Sequence, residues 1–261
     1  MPAATIDEVL TQLTTIIDNS AGTNNRAGYF AALYYKVTEA VKQGIANNEF
    51  EDGPRMERLD VLFANRYVAA YEQWTNKQPT TGAWRVAFET LDKRQPLVLQ
   101  HLLLGMNAHI NLDLGIATVA ATTGQDLQSI SRDFNSINAI IGSLTSQVVS
   151  ELNQVSPLLS LMGLHATNYN SILIQFSITN ARDGAWCFAE DLSKVTGAAY
   201  DSCIADRDKN ITQLAESMVH AKGPLRITLW VIHLFEWKRP GRVIKALREY
   251  KKAYLKVGQV D

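Results

Sequence analysis

Cysteine is scarce in this chain: Cys187 and Cys203 are the only two, too few for a disulfide framework and without zinc-knuckle spacing. Long apolar runs are missing as well, and no stretch reaches the roughly 20 unbroken apolar residues of a membrane span. The opening MPAATIDEVL has no basic segment leading into an apolar one, so the expectation is a cytoplasmic protein with reduced thiols. Net charge is nearly absent, at −1 over 261 residues, which gives the whole molecule little attraction for nucleic acid.

Several catalytic signatures are absent too. There is no HExxH, no ExxH pair of the di-iron type, no adjacent His-Asp doublet and no DDxxD cluster. CxxCH, the P-loop, GxGxxG and GxSxG are also lacking, which excludes the usual haem attachment, phosphate cradles and nucleophile elbow. Strand patterns and internal repeats are scarce or missing, and no linker is long enough to divide the chain.

What remains is helical periodicity. Ile6, Val9, Leu10, Leu13, Ile16 and Ile17 follow i, i+3, i+4 spacing. A polar loop is expected over Asn19 to Arg26, then a helix from about Tyr29 to Asn47. Glu51-Asp52-Gly53-Pro54 breaks the chain and starts a helix with Leu59, Leu62, Phe63, Tyr67, Ala70 and Tyr71 on one face. Further helices are expected from Ala83 to Lys93, from Pro96 to about Thr123, through Ile130 to Leu152, from about Ser171 to Val195, and on to about His220. An apolar helix follows Gly223-Pro224, and a basic one follows Pro240-Gly241. The fold class is therefore all-α: one domain of nine or ten helices spanning 1–261, wrapped around a buried central helix at about 96–123.

The segment from Lys238 onward carries eight Lys or Arg against Glu249 and Asp261, leaving about −7 on the rest of the chain. We expect this basic helix and tail, 239–261, to dock an apolar stripe of Val243, Ile244, Leu247, Tyr250 and Leu255 on the acidic body. Contact with an anionic membrane is the less favoured use, and nucleic acid is not expected. Cys187 reads as an inert core thiol, and Trp84, Trp186 and Trp230 as core or pocket wall.

The central helix holds the chemistry. Between Arg94 and Asp126 the only charged residue is Asp113. At 100° per residue His101, His109 and Asp113 share an arc of about 120°, with Asn107 and Asn111 on the other side. Burying these groups without partners would cost several kcal/mol, so they must satisfy one another or face a polar cavity. His109 and Asp113, at i and i+4, suit three uses. They could hold a divalent metal such as zinc, iron or manganese, with His101 as a further ligand. Asp113 could orient His109 as a base, or the pair could simply tie helices together. Arg58, Arg182 and the two histidines are the expected partners of Asp113. Arg182 joins His109 and Asp113 as a catalytic candidate. Asn107, Asn111, Arg58, Asp60 and Trp186 are the substrate-binding candidates.

The segment GMNAHINLDLGIA, with YYKVTEAV, ERLDVLFANRY and Ala83-Trp84 before it, resembles an uncharacterised bacterial family of unknown function. The resemblance runs from about Tyr29 to Trp186 and is most specific over Gly105 to Leu114. Members of that family often read HINHDLP, where this chain has Leu112 and Gly115, so one potential ligand is missing. The resemblance implies a shared fold and site but no reaction. The function expected is a small-molecule enzyme, with metal-dependent hydrolysis as the default chemistry. The alternatives are a non-catalytic binder of an apolar ligand or cofactor, or a structural protein with a satisfied polar core. Nothing in the sequence decides the oligomeric state.

Overall fold

The computed structural model describes residues 1–161, 178–221 and 223–249, and among these there is no strand. Helix α1 (Ile6–Thr23) begins where the Thr5 side chain accepts the Glu8 N–H, and it ends on Asn24 in the left-handed region at φ 52°. It runs one turn beyond the expected end, because Asn19 to Thr23 continue the helix and only the Asn24 cap stops it. Helix α2 (Gly28–Ala46) packs back along α1.

Helix α3 (Gly53–Thr75) starts from Asp52, whose side chain accepts the Arg55 N–H, with Pro54 in its first turn. Helix α4 (Gly82–Thr90) is short, and its first two N–H groups, on Gly82 and Ala83, donate to the Asp208 carboxylate at 2.6 and 3.0 Å.

The centre is a continuous helical rod: α5 (Val98–Ala108), a π-turn (His109–Asp113) and α6 (Leu114–Ala121). The rod is long and apolar enough to cross a bilayer, yet 83% of its most apolar window is buried against the other helices. Helix α7 (Ser131–Val155) follows a 3₁₀ turn (Leu127–Ile130), and α8 (Ile178–Ser193), α9 (Ala198–Val219), α10 (Pro224–Phe235) and α11 (Pro240–Arg248) complete the described chain. With the rod taken as one unit, the described residues form ten helical segments, matching the all-α expectation. The start of the helix expected from about Ser171, up to Ser177, and Tyr250 and Leu255 of the expected basic stripe lie outside the described residues.

Helices α2, α3, α4 and α9 surround the rod, with α7 and α8 closing the remaining side. Gly105 permits the close approach of α2: a Cβ there would stand 2.6 Å from the Phe30 ring. The start of α7 is tied to α3 through Asp133, which accepts the Glu51 N–H at 2.7 Å and an Arg55 N–H at 2.9 Å. A buried ion pair between Lys36 and Glu151 joins α2 to α7.

Helix α11 docks Val243, Ile244 and Leu247 as a buried stripe against α1 and α2. Its Arg248 meets Asp18 at 2.5 Å. Two expectations are corrected on the surface. Cys187 is exposed, since Ala185, Phe188 and Ala189 take the inward face of α8. Trp230 is 60% exposed, on an outward face of α10 shared with Ile227, Leu234 and Phe235, while Leu229 and Ile232 hold the helix to the core.

Candidate functional site

The site grows from the π-turn. The Leu114 N–H bonds the His109 carbonyl, five residues back, so this turn holds one residue more than an α-turn. A widened turn leaves carbonyls out of register, and α9 supplies a donor: Arg207 Nε donates to the Asn111 carbonyl at 2.8 Å.

Asp113 is 1% exposed and carries three hydrogen bonds from three directions. Arg66 Nε, from α3, donates to Oδ1 at 2.7 Å. Trp84 Nε1, from α4, donates to Oδ2 at 2.8 Å. His109 Nδ1 lies 3.2 Å from Oδ2. Burial pushes the Asp113 carboxyl upward, but the bonds from His109, Arg66 and Trp84 outweigh it and hold the group below the usual carboxylate range. Asp113 is thus an anion at neutral pH.

His109 is 2% exposed, and burial lowers its pKa despite the opposing pull of Asp113. A neutral imidazole beside an ionised carboxylate must donate from Nδ1, which leaves Nε2 as the lone-pair nitrogen. That Nε2 is buried with no hydrogen-bond partner among the described residues. The ring is clamped by aromatic groups: Phe63 stacks on it at 3.6 Å between centroids, and Tyr34 meets it edge-on at 4.5 Å.

His109 lines a cavity of about 240 Å³ between α2, α3, the rod, α7 and α8. Among the described residues that line it, only Tyr34, Asp60, His109, Thr145 and Arg182 are polar, against nineteen apolar side chains. Asp60 Oδ2, the Tyr34 hydroxyl and the neighbouring Thr38 hydroxyl are buried without hydrogen bonds of good geometry. Each such orphan typically costs about 1–3 kcal/mol, so several around one cavity mark a place where a ligand or water completes the bonding. Burial, with Glu57 adding to it, raises Asp60 to about 7, so at neutral pH it is partly a carboxylic acid able to donate.

The structure divides the sequence candidates. His109, Asp60 and Arg182 line one cavity, and Asp113 stands directly behind His109. Asn107 and Asn111 bond each other at 3.0 Å, and Asn107 Nδ2 donates to the Ile211 carbonyl at 2.9 Å; neither lines the cavity. They bracket the rod to α9. Arg58 is exposed and donates to the Ala120 carbonyl at 3.1 Å, so it is not the partner of Asp113. Nor is Arg182, which bonds Asn138 and the Phe134 carbonyl and lies over the Phe134 ring at 4.4 Å. Trp186 donates to Glu190 at 3.1 Å and stands outside the cavity lining.

His101 sits apart, edge-on to Tyr29 at 5.8 Å, with both ring nitrogens unpartnered. Burial, with Arg26 nearby, pulls it down to about 3. The metal set of His109, Asp113 and His101 therefore does not assemble. The Asp113 oxygens are occupied by three donors, and among the described residues no group of three or more His, Cys, Asp or Glu is placed to hold a metal ion.

Arg66, Trp84, Tyr34 and Phe63 were not chosen from the sequence as site residues. Trp84 reads in the sequence as core or pocket wall near the start of a helix, but nothing in the pattern ties it to Asp113. The profile of one family matches residues 6–221, most of the chain. The chain belongs to the family of unknown function DUF5995. The His109–Asp113 turn, the cavity and both donors to Asp113 from α3 and α4 fall inside the DUF5995 match, whereas α10 and α11 lie beyond it. No curated protein and no solved structure matches the chain.

Proposed function

We propose that this DUF5995 protein is a metal-free enzyme acting on a mostly apolar small molecule, with His109 as the proton-accepting base. The observation that carries this is the asymmetry of one imidazole. Its Nδ1 side is fixed by an anionic Asp113, itself held by Arg66 and Trp84, while its Nε2 is unpartnered on a ring that lines an apolar cavity. Asp113 fixes the tautomer and stabilises the imidazolium that forms when His109 takes a proton. Asp60, partly protonated, and the Tyr34 phenol are among the donors that line the cavity for an oxygen on the substrate.

The lining offers no cysteine or serine among the described residues, and with His109 as the base a hydrolysis here would use water that it activates. A second reading, a non-catalytic carrier of an apolar ligand, is favoured by the scarcity of polar groups on the cavity wall.

Incubating the wild-type chain and His109→Gln with a panel of apolar esters, lactones and epoxides separates the two. Enzymatic turnover that falls roughly 100-fold or more in the variant, with the melting temperature largely kept, supports the base. Equal turnover by both proteins removes His109 from the chemistry. Binding without turnover by the wild type leaves the carrier.

A further inference from the structure

Arg182 is a charge without a counter-charge. It is 3% exposed, lines the apolar cavity, and has no carboxylate within 4.0 Å among the described residues. The neighbouring stretch from Met162 to Ser177 contains no Asp or Glu at all. Asp183, at the next position, is exposed and makes no ion pair with it within 4.0 Å; burial, opposed by Asp183, brings Arg182 down to about 10, so it stays cationic at neutral pH. Buried guanidinium groups are ordinarily paired, because an isolated charge in apolar surroundings is costly.

The side chain is also held in place. Nε donates to Asn138 Oδ1 at 2.6 Å, Nη2 donates to the Phe134 carbonyl, and the Phe134 ring lies beneath. Both hydrogen-bond partners are neutral. A guanidinium has five N–H donors, so these two bonds orient the fork and leave three donors unassigned. A planar fork suits a carboxylate, and a single cation balances a monoanion, whereas a dianionic phosphate would bring surplus charge into an apolar space.

We propose that the ligand of the cavity is an apolar carboxylic acid, its carboxylate anchored on Arg182 and its body filling the space that leads to His109. This rests on the reading of the cavity as a small-molecule site. The space is ample for such a body: a dry cavity of ~150 Å³ admits benzene, and this one has about 240 Å³.

The test titrates the full-length protein with octanoic, dodecanoic and hexadecanoic acids, and with the alcohol and methyl ester of each chain, by calorimetry. At least one acid should bind roughly ten- to a hundredfold more tightly than its alcohol and ester. Arg182→Gln should erase that preference, and Arg182→Lys should keep part of it. Should Arg182→Gln fail to fold, the wild-type comparison and the lysine variant still decide. Equal binding of acid and alcohol overturns the anchor while leaving an apolar small-molecule site in place. Acid preference that survives in Arg182→Gln also overturns it. No binding of acid, alcohol or ester overturns both this inference and the reading beneath it.

Discussion

His101 and His109 stand on the same buried rod, eight residues and so ~12 Å apart, at 5% and 2% exposure. Burial lowers both pKa values. The difference lies in what each touches. His101 has Tyr29 at its edge and, among the described residues, no hydrogen-bond partner on either nitrogen, and it is not part of the lining of the His109 cavity. His109 has a carboxylate on one nitrogen and an apolar space beside the ring. Burial alone makes an imidazole neutral and inert. A carboxylate that fixes the tautomer, together with room for a second molecule, makes it one that can accept a proton.

The strongest way to break this contrast is to remove what distinguishes His109. Asp113→Ala strands Arg66, Trp84 and His109 Nδ1 together, and should cost about 3–5 kcal/mol in chemical denaturation. A loss below about 1 kcal/mol would mean the three donors find other acceptors and the anion does not organise the site.

A smaller effect isolates His101. Its folded pKa of about 3 lies below the unfolded value of about 6.5, so below pH 6.5 the unfolded chain takes up a proton that the folded one refuses. Stability must therefore fall with pH through that window, by about 2 kcal/mol from this residue between pH 7 and pH 5. His101→Leu should flatten the denaturation profile by that amount, and an unchanged slope would show that His101 is protonated in the fold or never leaves its pocket unpaired.

The smallest effect concerns the outermost donor. Arg66 has 32% of its side chain exposed, so Arg66→Gln should cost only about 1 kcal/mol. It should nevertheless raise the pKa of Asp113, seen by carboxyl NMR titration, because a favourable cation is gone. A resonance that does not move would reassign the low pKa to His109 and Trp84 alone.

Much of the fold was legible because the helical period is clean and Asp113 is a lone charge in a long apolar run. The His109–Asp113 contact followed from i, i+4 spacing and is present at 3.2 Å. The partner of that pair was not legible. Arg58 and Arg66 sit two turns apart on α3, and only the angle at which α3 crosses the rod selects Arg66. Asn107 and Asn111 looked like ligand-binding amides but are spent on each other and on the Ile211 carbonyl, a choice made by the packing of α9. Trp230 follows the apolar pattern of a core residue, yet α10 turns that stripe outward. Periodicity names the faces of a helix; it does not say which face meets which neighbour.

The π-turn has a mechanical consequence. Ten positions apart on a uniform helix, Gly105 and Gly115 would point roughly 80° from each other, but one additional residue in a turn sets them on roughly opposite sides of the rod. Gly105 sits against Phe30 of α2, and Gly115 against Phe188 of α8, where a Cβ would stand 2.5 Å from the ring. The rod is thus two screws joined out of phase, and the joint is the five residues His109–Asp113. Excising one residue there would leave the glycines nine positions apart on a regular thread, still about 180° from each other, so both phenylalanine contacts would stand. Rewinding the joint into an α-turn with every residue kept would instead swing one glycine away from the phenylalanine it admits, so it is the widened turn that keeps the two ends of the rod in gear with different helices.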